Sequence, residues 1–206
     1  MMNLRWMRAP GIFKIFFRNF IWRYNTGAKK VYLTFDDGPI PESTLWTLDM
    51  LKEKEVKATF FCVGENVYKH PELFQKILDS GHAVGNHTYN HLKGWSVDTS
   101  KYIENVIMAN DLIKSNLFRP PYGQIKSAQA KHLLSEYKLV MWDVLSGDYR
   151  KDISPEKCYQ DVLKSVRPGS IILLHNHAKS EENMRYAVPR LIDELKLQGY
   201  EFDICH

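Results

Sequence analysis

The chain has few cysteines and no strong excess of charge of either sign. Its 206 residues include three cysteines, Cys62, Cys158 and Cys205, which lie far apart. An odd number at such spacing suits neither a zinc knuckle nor a disulfide framework, so we expect reduced, mostly buried thiols. The formal net charge of +4 is modest and spread along the chain, which gives no case for a nucleic-acid partner.

The sequence also lacks a long hydrophobic run and a glycine-rich phosphate loop. The aromatic-rich segment from Ile12 to Trp22 is interrupted by Lys14 and Arg18, so it is too short and too charged for a membrane-spanning helix. No small-residue cleavage site follows it clearly, which weakens its interpretation as a signal peptide. No G-x-G-x-x-G pattern follows the first predicted strand, so dinucleotide binding has little support.

Two interpretations of the N-terminal segment stay open. Its combination of aromatic and basic side chains suits peripheral contact with a membrane surface, which would place the protein in the cytoplasm or at the membrane periphery. The alternative, which we favour, is a strap that packs across the domain and covers apolar surface. We therefore expect residues 1–29 to form an aromatic and basic strap and residues 30–206 to form one domain.

The rest of the chain alternates between strand patterns and helix patterns. The first strand pattern is Val31–Leu33, the stretch from Lys138 to Val144 reads as one later strand, and Ser43 reads as the N-cap of the first helix. This alternation favours about seven parallel strands joined by right-handed helical crossovers. Both an open doubly wound sheet and a barrel fit the pattern. In a barrel, functional residues would collect at the carboxyl ends of the strands.

Two adjacent carboxylates follow the first predicted strand. Asp36 and Asp37 stand directly before Gly38-Pro39, which turns the chain away. Taken alone, this turn is explained equally well as a solvated loop. If both carboxylates enter one site, they repel each other, and each needs a metal ion, an arginine or a hydrogen-bond donor as its partner.

Two histidines follow the third predicted strand. His87 and His91 are four positions apart, and on a helical turn this spacing places both rings on one face. A single histidine is more often an ordinary polar residue than a ligand. Together with Asp37, however, the pair makes a set of two histidines and one carboxylate with open positions, which is typical of a catalytic zinc-type site.

Five ordered motifs resemble those of the polysaccharide deacetylase family, the NodB-homology domain of carbohydrate esterase family 4. They are T-F-D-D-G-P at 34–39, H-T-x-x-H at 87–91, R-x-P-Y at 119–122, L-S-G-D-Y at 145–149 and L-x-H at 173–175. The resemblance runs from about Lys30 to the C-terminus. It implies an α/β fold, a distorted (β/α) barrel with fewer than eight strands, and makes residues 30–206 the catalytic domain.

The resemblance also implies a metal centre and roles for several side chains. Asp37, His87 and His91 would bind a divalent ion, with Zn²⁺ as the first choice and Co²⁺, Ni²⁺ or Mn²⁺ as alternatives. Asp36 would be the general base. His175 would be the general acid.

Four further residues would assist Asp36 and His175 or contact the substrate. Arg119 would pair with the base, and Asp148 would orient the catalytic histidine. The backbone amide of Tyr122 would donate to the oxyanion, and Leu173 would form a wall for the acetyl methyl group. The fourth motif departs from the family pattern D-x-x-D-W.

The departures lie at two positions of that motif. Leu145 stands where the family has its first Asp, and Tyr149 stands where it has Trp. Both bear on the shape of the groove that would hold the acetyl group and the sugar.

The implied activity is removal of acetyl groups from polysaccharides or glycoconjugates that contain N-acetylglucosamine. Amide hydrolysis needs an activated water, a polarised carbonyl and a proton for the leaving amine, and a metal ion, Asp36 and His175 would supply these. Two alternatives stay open: an O-acetyl esterase acting on acetylated xylan, and a saccharide-binding protein without catalysis. The histidines outside the motifs should be dispensable, with His177 the one that could line the cleft.

Overall fold

The computed structural model describes residues 17–25 and 27–206. Its strands are β1 (Lys30–Asp36), β2 (Thr59–Cys62), β3 (Ala83–Asn86), β4 (Leu117–Phe118), β5 (Lys138–Leu139), β6 (Val144–Leu145), β7 (Ile171–His175) and β8 (Glu201–Phe202). Its helices are α1 (Pro41–Glu53), α2 (Gly64–Lys69), α3 (Pro71–Asp79), α4 (Thr99–Ile113), α5 (Ser127–Leu133), α6 (Pro155–Ser165) and α7 (Glu181–Leu197). None of these described helices has the length and apolar character needed to cross a bilayer.

The strands form one curled parallel sheet. Seven of them follow the order β5-β4-β3-β2-β1-β7-β6, and β8 pairs with the start of β1. The sheet curls into a half-barrel, which confirms the expected α/β fold and distorted barrel of about seven strands. Because all the pairs in this path are parallel, the carboxyl ends of the strands meet at one rim of the half-barrel.

Alternation along β1 separates the helix-facing core from the barrel interior. Val31, Leu33 and Phe35 are fully buried in the large cluster beneath the helices. Tyr32 belongs to a different cluster inside the barrel. Since successive side chains of a strand point to opposite faces, Asp36 at the end of β1 lies on the same face as Tyr32. The strand thus delivers a carboxylate to the inner rim.

The predicted single strand from Lys138 to Val144 is wrong. β5 pairs with β4 at one edge of the sheet, and β6 pairs with β7 at the other edge. The short linker Val140–Asp143 passes from one edge to the other, which is possible because the curled sheet brings its edges close together. The apolar run Leu139–Trp142 does not reveal such a change of partner.

Two further local predictions need correction. Ser43 does not cap α1, because the helix begins at Pro41 with Ile40 as its N-cap. Proline suits this first position, where its missing N–H costs no hydrogen bond. The Ile40 N–H is instead accepted by Thr44 Oγ1 at 2.8 Å. Helix α2 was not predicted.

The three cysteines are free and buried, as expected.

The structure describes residues 17–25 and 27–29 of the predicted strap, and residues 17–24 lie across the gap between the two sheet edges. Ile21 forms a parallel bridge with Val140, and Arg23 forms an antiparallel bridge with Ser170. Phe20 is buried in the cluster that contains Met141. Residues 1–16 of the predicted strap, with the basic residues Arg5, Arg8 and Lys14, lie outside the described residues.

Candidate active site

A cleft of about 730 Å³ opens at the carboxyl ends of the strands. Eight of the ten predicted site residues line it: Asp36, Asp37, His87, His91, Tyr122, Tyr149, Leu173 and His175. The other two, Arg119 and Asp148, are fully buried. The folded chain therefore brings all five motifs to one place.

The predicted metal ligands are close enough to share one ion. Asp37 Oδ1 lies 3.2 Å from His91 Nε2 and 3.8 Å from His87 Nε2. The donor atoms of the three residues all lie within 4.8 Å of one another. One carboxylate oxygen and two imidazole nitrogens are a donor set that suits zinc and similar divalent ions.

The hydrogen bond of His87 fixes which of its nitrogens faces the cleft. Nδ1 lies 2.7 Å from the backbone oxygen of Arg119, so Nδ1 carries the hydrogen and donates it to that carbonyl. Nε2 then presents its lone pair towards Asp37. Burial lowers the pKa of His87 to about 4, which keeps the ring neutral and able to bind a metal at physiological pH.

Asp37 is held in its ionised form. Burial opposes its ionisation, but the hydrogen bond with His91 and electrostatic attraction to the nearby histidines hold the pKa of this carboxyl well below its ordinary value. Its backbone is also anchored, since Asn66 Nδ2 donates to the Asp37 carbonyl at 2.7 Å. The carboxylate is thus available as an anionic ligand.

A loop brings the two histidines together, and not the helical turn that the sequence analysis considered. Thr88 and His91 have left-handed backbone conformations, with φ of 63° and 57°. Thr88 N–H donates to Asn86 Oδ1 at 2.8 Å, and Thr88 Oγ1 accepts the Leu92 N–H at 2.9 Å. These bonds replace the ladder of a helix. Asp37 and Tyr122 are also left-handed, as residues at functional sites often are.

Asp36 is paired with Arg119 at the inner side of the cleft. Asp36 Oδ1 lies 2.7 Å from Arg119 Nη1, and both side chains are buried. The other carboxylate oxygen, Oδ2, lies 3.7 Å from His87 Nε2, next to the predicted metal ligands. Asp36 therefore has one oxygen occupied by the guanidinium and one beside the metal triad.

Arg119 is itself held by several acceptors. Nη1 also donates to Thr34 Oγ1 at 2.8 Å, Nε donates to the Val140 carbonyl at 3.0 Å, and Nη2 donates to the Met141 carbonyl at 2.8 Å. Its guanidinium lies 4.0 Å from the centre of the Phe61 ring. A fully buried charge needs such partners, and here they leave the guanidinium little freedom to move.

His175 and Asp148 form a second pair, in which the carboxylate is buried and the imidazole partly faces the cleft. His175 Nδ1 lies 2.8 Å from Asp148 Oδ1. Burial alone would lower the pKa of His175, but the charge and hydrogen bond of Asp148 outweigh it and raise that pKa to about 9. The imidazole is therefore protonated at neutral pH.

Asp148 is positioned by neighbours that the sequence analysis did not single out. Asn183 Nδ2 donates to the Asp148 carbonyl at 2.8 Å and to the Arg150 carbonyl at 2.9 Å. Ser146 Oγ accepts the Asp148 N–H at 3.2 Å. No motif marks Asn183, which comes from α7. The sequence analysis also did not single out Thr34, whose hydroxyl accepts a hydrogen bond from Arg119. Alternation along β1 places Thr34 on the same face as Asp36, so this residue could have been found from the sequence.

Apolar and aromatic side chains form the walls beside the polar groups. Leu145 and Leu173 are direct partners in β6 and β7, and both line the cleft. The Tyr149 ring stands edge-on to His175, with 5.2 Å between ring centres. The Tyr122 ring lies over His91 at 4.7 Å. His177 lines the cleft as well, as the sequence analysis anticipated.

Comparison with known proteins identifies relatives of this chain. Residues 23–142 match the family model of polysaccharide deacetylase. A peptidoglycan-N-acetylglucosamine deacetylase of Bacillus cereus is 36% identical over 184 residues, which cover 84% of this chain and 66% of that protein. The family match includes Arg119 and ends before Asp148 and His175.

Solved structures share the whole fold. A peptidoglycan N-acetylglucosamine deacetylase superposes with a TM-score of 0.85 at 34% identity, covering 90% of each chain. A CE4 family pseudoenzyme from Bacillus anthracis superposes with a TM-score of 0.80 at 28% identity, covering 89% of this chain and 66% of that one. The chain therefore belongs to the polysaccharide deacetylase family, the NodB-type family 4 of carbohydrate esterases.

Proposed function

We propose that this protein is a metal-dependent deacetylase of N-acetylglucosamine units in polysaccharide, with peptidoglycan as the first candidate substrate. The observation that carries the proposal is one cleft in which the triad Asp37, His87 and His91 is accompanied by two ion pairs. One pair, Asp36 with Arg119, supplies a carboxylate, and the other, Asp148 with His175, supplies a protonated imidazole. Amide hydrolysis needs both kinds of group.

The triad residues fit a divalent ion of the zinc type. Asp37 is ionised and His87 presents an unprotonated Nε2, so their donor atoms are in the forms that metals bind. When bound, such an ion supplies Lewis acidity, which polarises a carbonyl and makes water easier to deprotonate. Zn²⁺ is our first choice, and Co²⁺, Ni²⁺ and Mn²⁺ are compatible with the same ligands.

Asp36 is suited to the role of general base. Its Oδ1 is bound by Arg119, which fixes the carboxylate and leaves Oδ2 beside the metal triad. A water between Oδ2 and the substrate carbonyl would give its proton to this oxygen as it attacks the carbonyl carbon. The guanidinium would then hold the carboxyl in place while it carries the proton.

His175 is suited to the role of general acid. Asp148 holds its Nδ1 and keeps the ring protonated, so Nε2 has a proton to give to the leaving amine of the sugar. The backbone N–H of Tyr122 would donate to the oxygen that gains negative charge. Leu173, Leu145 and Tyr149 would enclose the acetyl methyl group and the sugar face.

The relatives support peptidoglycan as the substrate. Because Leu145 and Tyr149 depart from the family's fourth motif, two alternative functions must also be tested. An O-acetyl esterase would need the same base and metal ligands but little help from the acid, because an alkoxide leaves more readily than an amide anion. A binding protein without catalysis would use the cleft walls alone. We assign the chemistry to residues 30–206, which contain every motif residue.

The test is acetate release from three substrates by the zinc-loaded protein. Peptidoglycan, chitooligosaccharides and acetylated xylan are offered in parallel, with the Asp36→Asn protein as the matched control because it retains all three triad residues. We expect release from the N-acetylated substrates, loss of that release on chelation, and recovery on adding zinc. Release from xylan alone would favour the esterase, and saccharide binding without any release would favour the binding protein.

A further inference from the structure

The N-terminal strap is connected to the proposed base through a short series of hydrogen bonds. Arg119 binds Asp36 and also donates to the carbonyls of Val140 and Met141. These two carbonyls belong to the backbone just after β5. The position of the guanidinium therefore depends on the position of this backbone.

The backbone of Ile21 forms hydrogen bonds with the segment that carries these two carbonyls. The Ile21 N–H donates to the Leu139 carbonyl at 2.8 Å, and the Ile21 carbonyl accepts the Met141 N–H at 2.8 Å. On the opposite side, the Val140 N–H donates to the Phe118 carbonyl at 2.9 Å. The segment 139–141 is thus fixed between β4 and the strap, although β5 itself ends at Leu139.

Side-chain packing anchors the strap at this point. Phe20 is only 6% exposed and packs in the same cluster as Leu139 and Met141. Phe17 stacks on Phe20 with 4.9 Å between ring centres, and the Trp22 indole N–H donates to the Phe17 carbonyl at 3.1 Å. Phe20 therefore anchors the strap beside the segment that binds Arg119, and Phe17 and Trp22 support Phe20 from within the strap.

We propose that Ile21 is a positioning residue for the hydrolysis: its backbone holds segment 139–141, which holds Arg119, which orients the Asp36 carboxylate. The inference rests on the proposed function, in which Asp36 is the base. It extends the working site to a residue outside the range that matches the family model. It also gives the strap a role in catalysis in addition to its predicted role of covering apolar surface.

The main test is Ile21→Pro, which removes the N–H that bonds Leu139. A small displacement of a catalytic group can cost orders of magnitude in rate, so we expect kcat to fall roughly ten- to a hundredfold. KM should stay within about twofold and bound zinc at one equivalent, because Ile21 itself neither lines the cleft nor belongs to the triad. If Ile21→Pro does not fold, Phe20→Ala weakens the same anchor and should give a smaller loss of the same kind.

Tyr24→Phe is the matched control at the far end of the strap. The Tyr24 hydroxyl donates to the His206 carbonyl at 3.0 Å and accepts the His206 N–H at 2.9 Å, and neither bond involves segment 139–141. This variant should melt at a lower temperature with unchanged kcat. If it loses as much kcat as Ile21→Pro, the strap acts through general stability and the inference is wrong.

A double variant tests whether the effect passes through Arg119. Arg119→Lys cannot reproduce the fork of bonds to the two carbonyls, so adding Ile21→Pro to it should cost less than twofold more in kcat. Full additivity of the two losses would contradict the proposed connection.

An NMR measurement separates this inference from the proposed function. The Arg119 Nε–H, donated to the buried Val140 carbonyl, should exchange slowly with solvent in the native protein and at least tenfold faster in Ile21→Pro. If the protein deacetylates no substrate but this exchange still accelerates, the connection stands and the proposed function fails. If deacetylation is present and the variant changes neither exchange nor kcat, the inference fails alone.

Discussion

The Asp148 carboxylate binds His175 twice, at the backbone and at the ring. Oδ2 accepts the His175 N–H at 2.8 Å, and Oδ1 lies 2.8 Å from the ring nitrogen Nδ1. The carboxylate is fully buried, so it is shielded from bulk solvent. One side chain thus sets the position of the histidine, the direction of its ring and its protonation state.

The first prediction concerns the pH dependence that this pair produces. His175 has a pKa of about 9, so kcat/KM should fall as pH rises through about 9 and the acid loses its proton. In Asp148→Asn, burial remains without the compensating charge, so this alkaline limb should move to lower pH by more than two units. Rate profiles of both proteins measure the shift, and an NMR titration of His175 in the metal-free protein checks its assignment.

The same ionisation has a consequence for stability. A folded-state pKa of about 9, above the ordinary value near 6.5, means that this group stabilises the fold fully below about pH 6.5. The contribution is lost as pH rises through about 9. Chemical unfolding of the metal-free protein between pH 6 and pH 10 should show a decline that is absent in His175→Gln. An equal decline in that variant would assign it to other groups.

The second prediction concerns the metal. His87→Ala and His91→Ala each remove one of three donors and should bind zinc at least tenfold more weakly, with loss of acetate release. Metal analysis after dialysis measures occupancy, and His132→Ala serves as the matched control because this residue lies outside the cleft lining. Full occupancy in both triad variants would remove the metal site from this cleft.

The third prediction separates the base from the acid. Asp36→Asn should keep zinc and lose on the order of two or more decades of kcat on all substrates. His175→Ala should lose a similar factor on acetamido sugars but much less on activated acetyl esters, whose leaving groups need little protonation. Steady-state rates on a matched amide and ester decide between the roles. Equal losses of His175→Ala on both would mean that this residue does not protonate the leaving group.

The fourth prediction assigns a structural role to His82. Its Nδ1 accepts the Ala58 N–H at 3.2 Å, and burial, aided by Lys57, lowers its pKa to about 4. His82→Ala should leave kcat unchanged and cost about 1–3 kcal/mol in the free energy of unfolding, because the buried Ala58 N–H loses its acceptor. Urea unfolding measures the loss. Since the folded-state pKa lies below the ordinary value, this stabilisation is complete above about pH 6.5 and disappears as pH falls through about 4.

The sequence predicts the fold class well because alternation and helical period are local properties. It does not predict which edge of the sheet a short strand joins, since β5 and β6 lie close together in the sequence but pair with different partners. The start of α1 at Pro41 was likewise missed. There, a proline at the first helical position outweighed the capping preference of Ser43.

Motifs in the sequence indicated the site residues, and the folded chain brings them together, but the way in which they meet was not predictable. Spacing suggested a helical turn for His87 and His91, whereas left-handed conformations held by side-chain bonds build a loop. Asn183, which supports Asp148 from α7, carries no local pattern at all. Ile21 is a similar case, because its contribution is made by backbone atoms.

The linker Val140–Asp143 joins the two edges of the sheet and therefore connects the two sides of the cleft directly. The carbonyls of Val140 and Met141 hold Arg119 on the base side, and a few residues later β6 leads to Asp148 on the acid side. Inserting or deleting one residue in Val140–Asp143 would therefore shift the register at both edges together. The length of this linker is thus constrained by the positions of Arg119 and Asp148 at once.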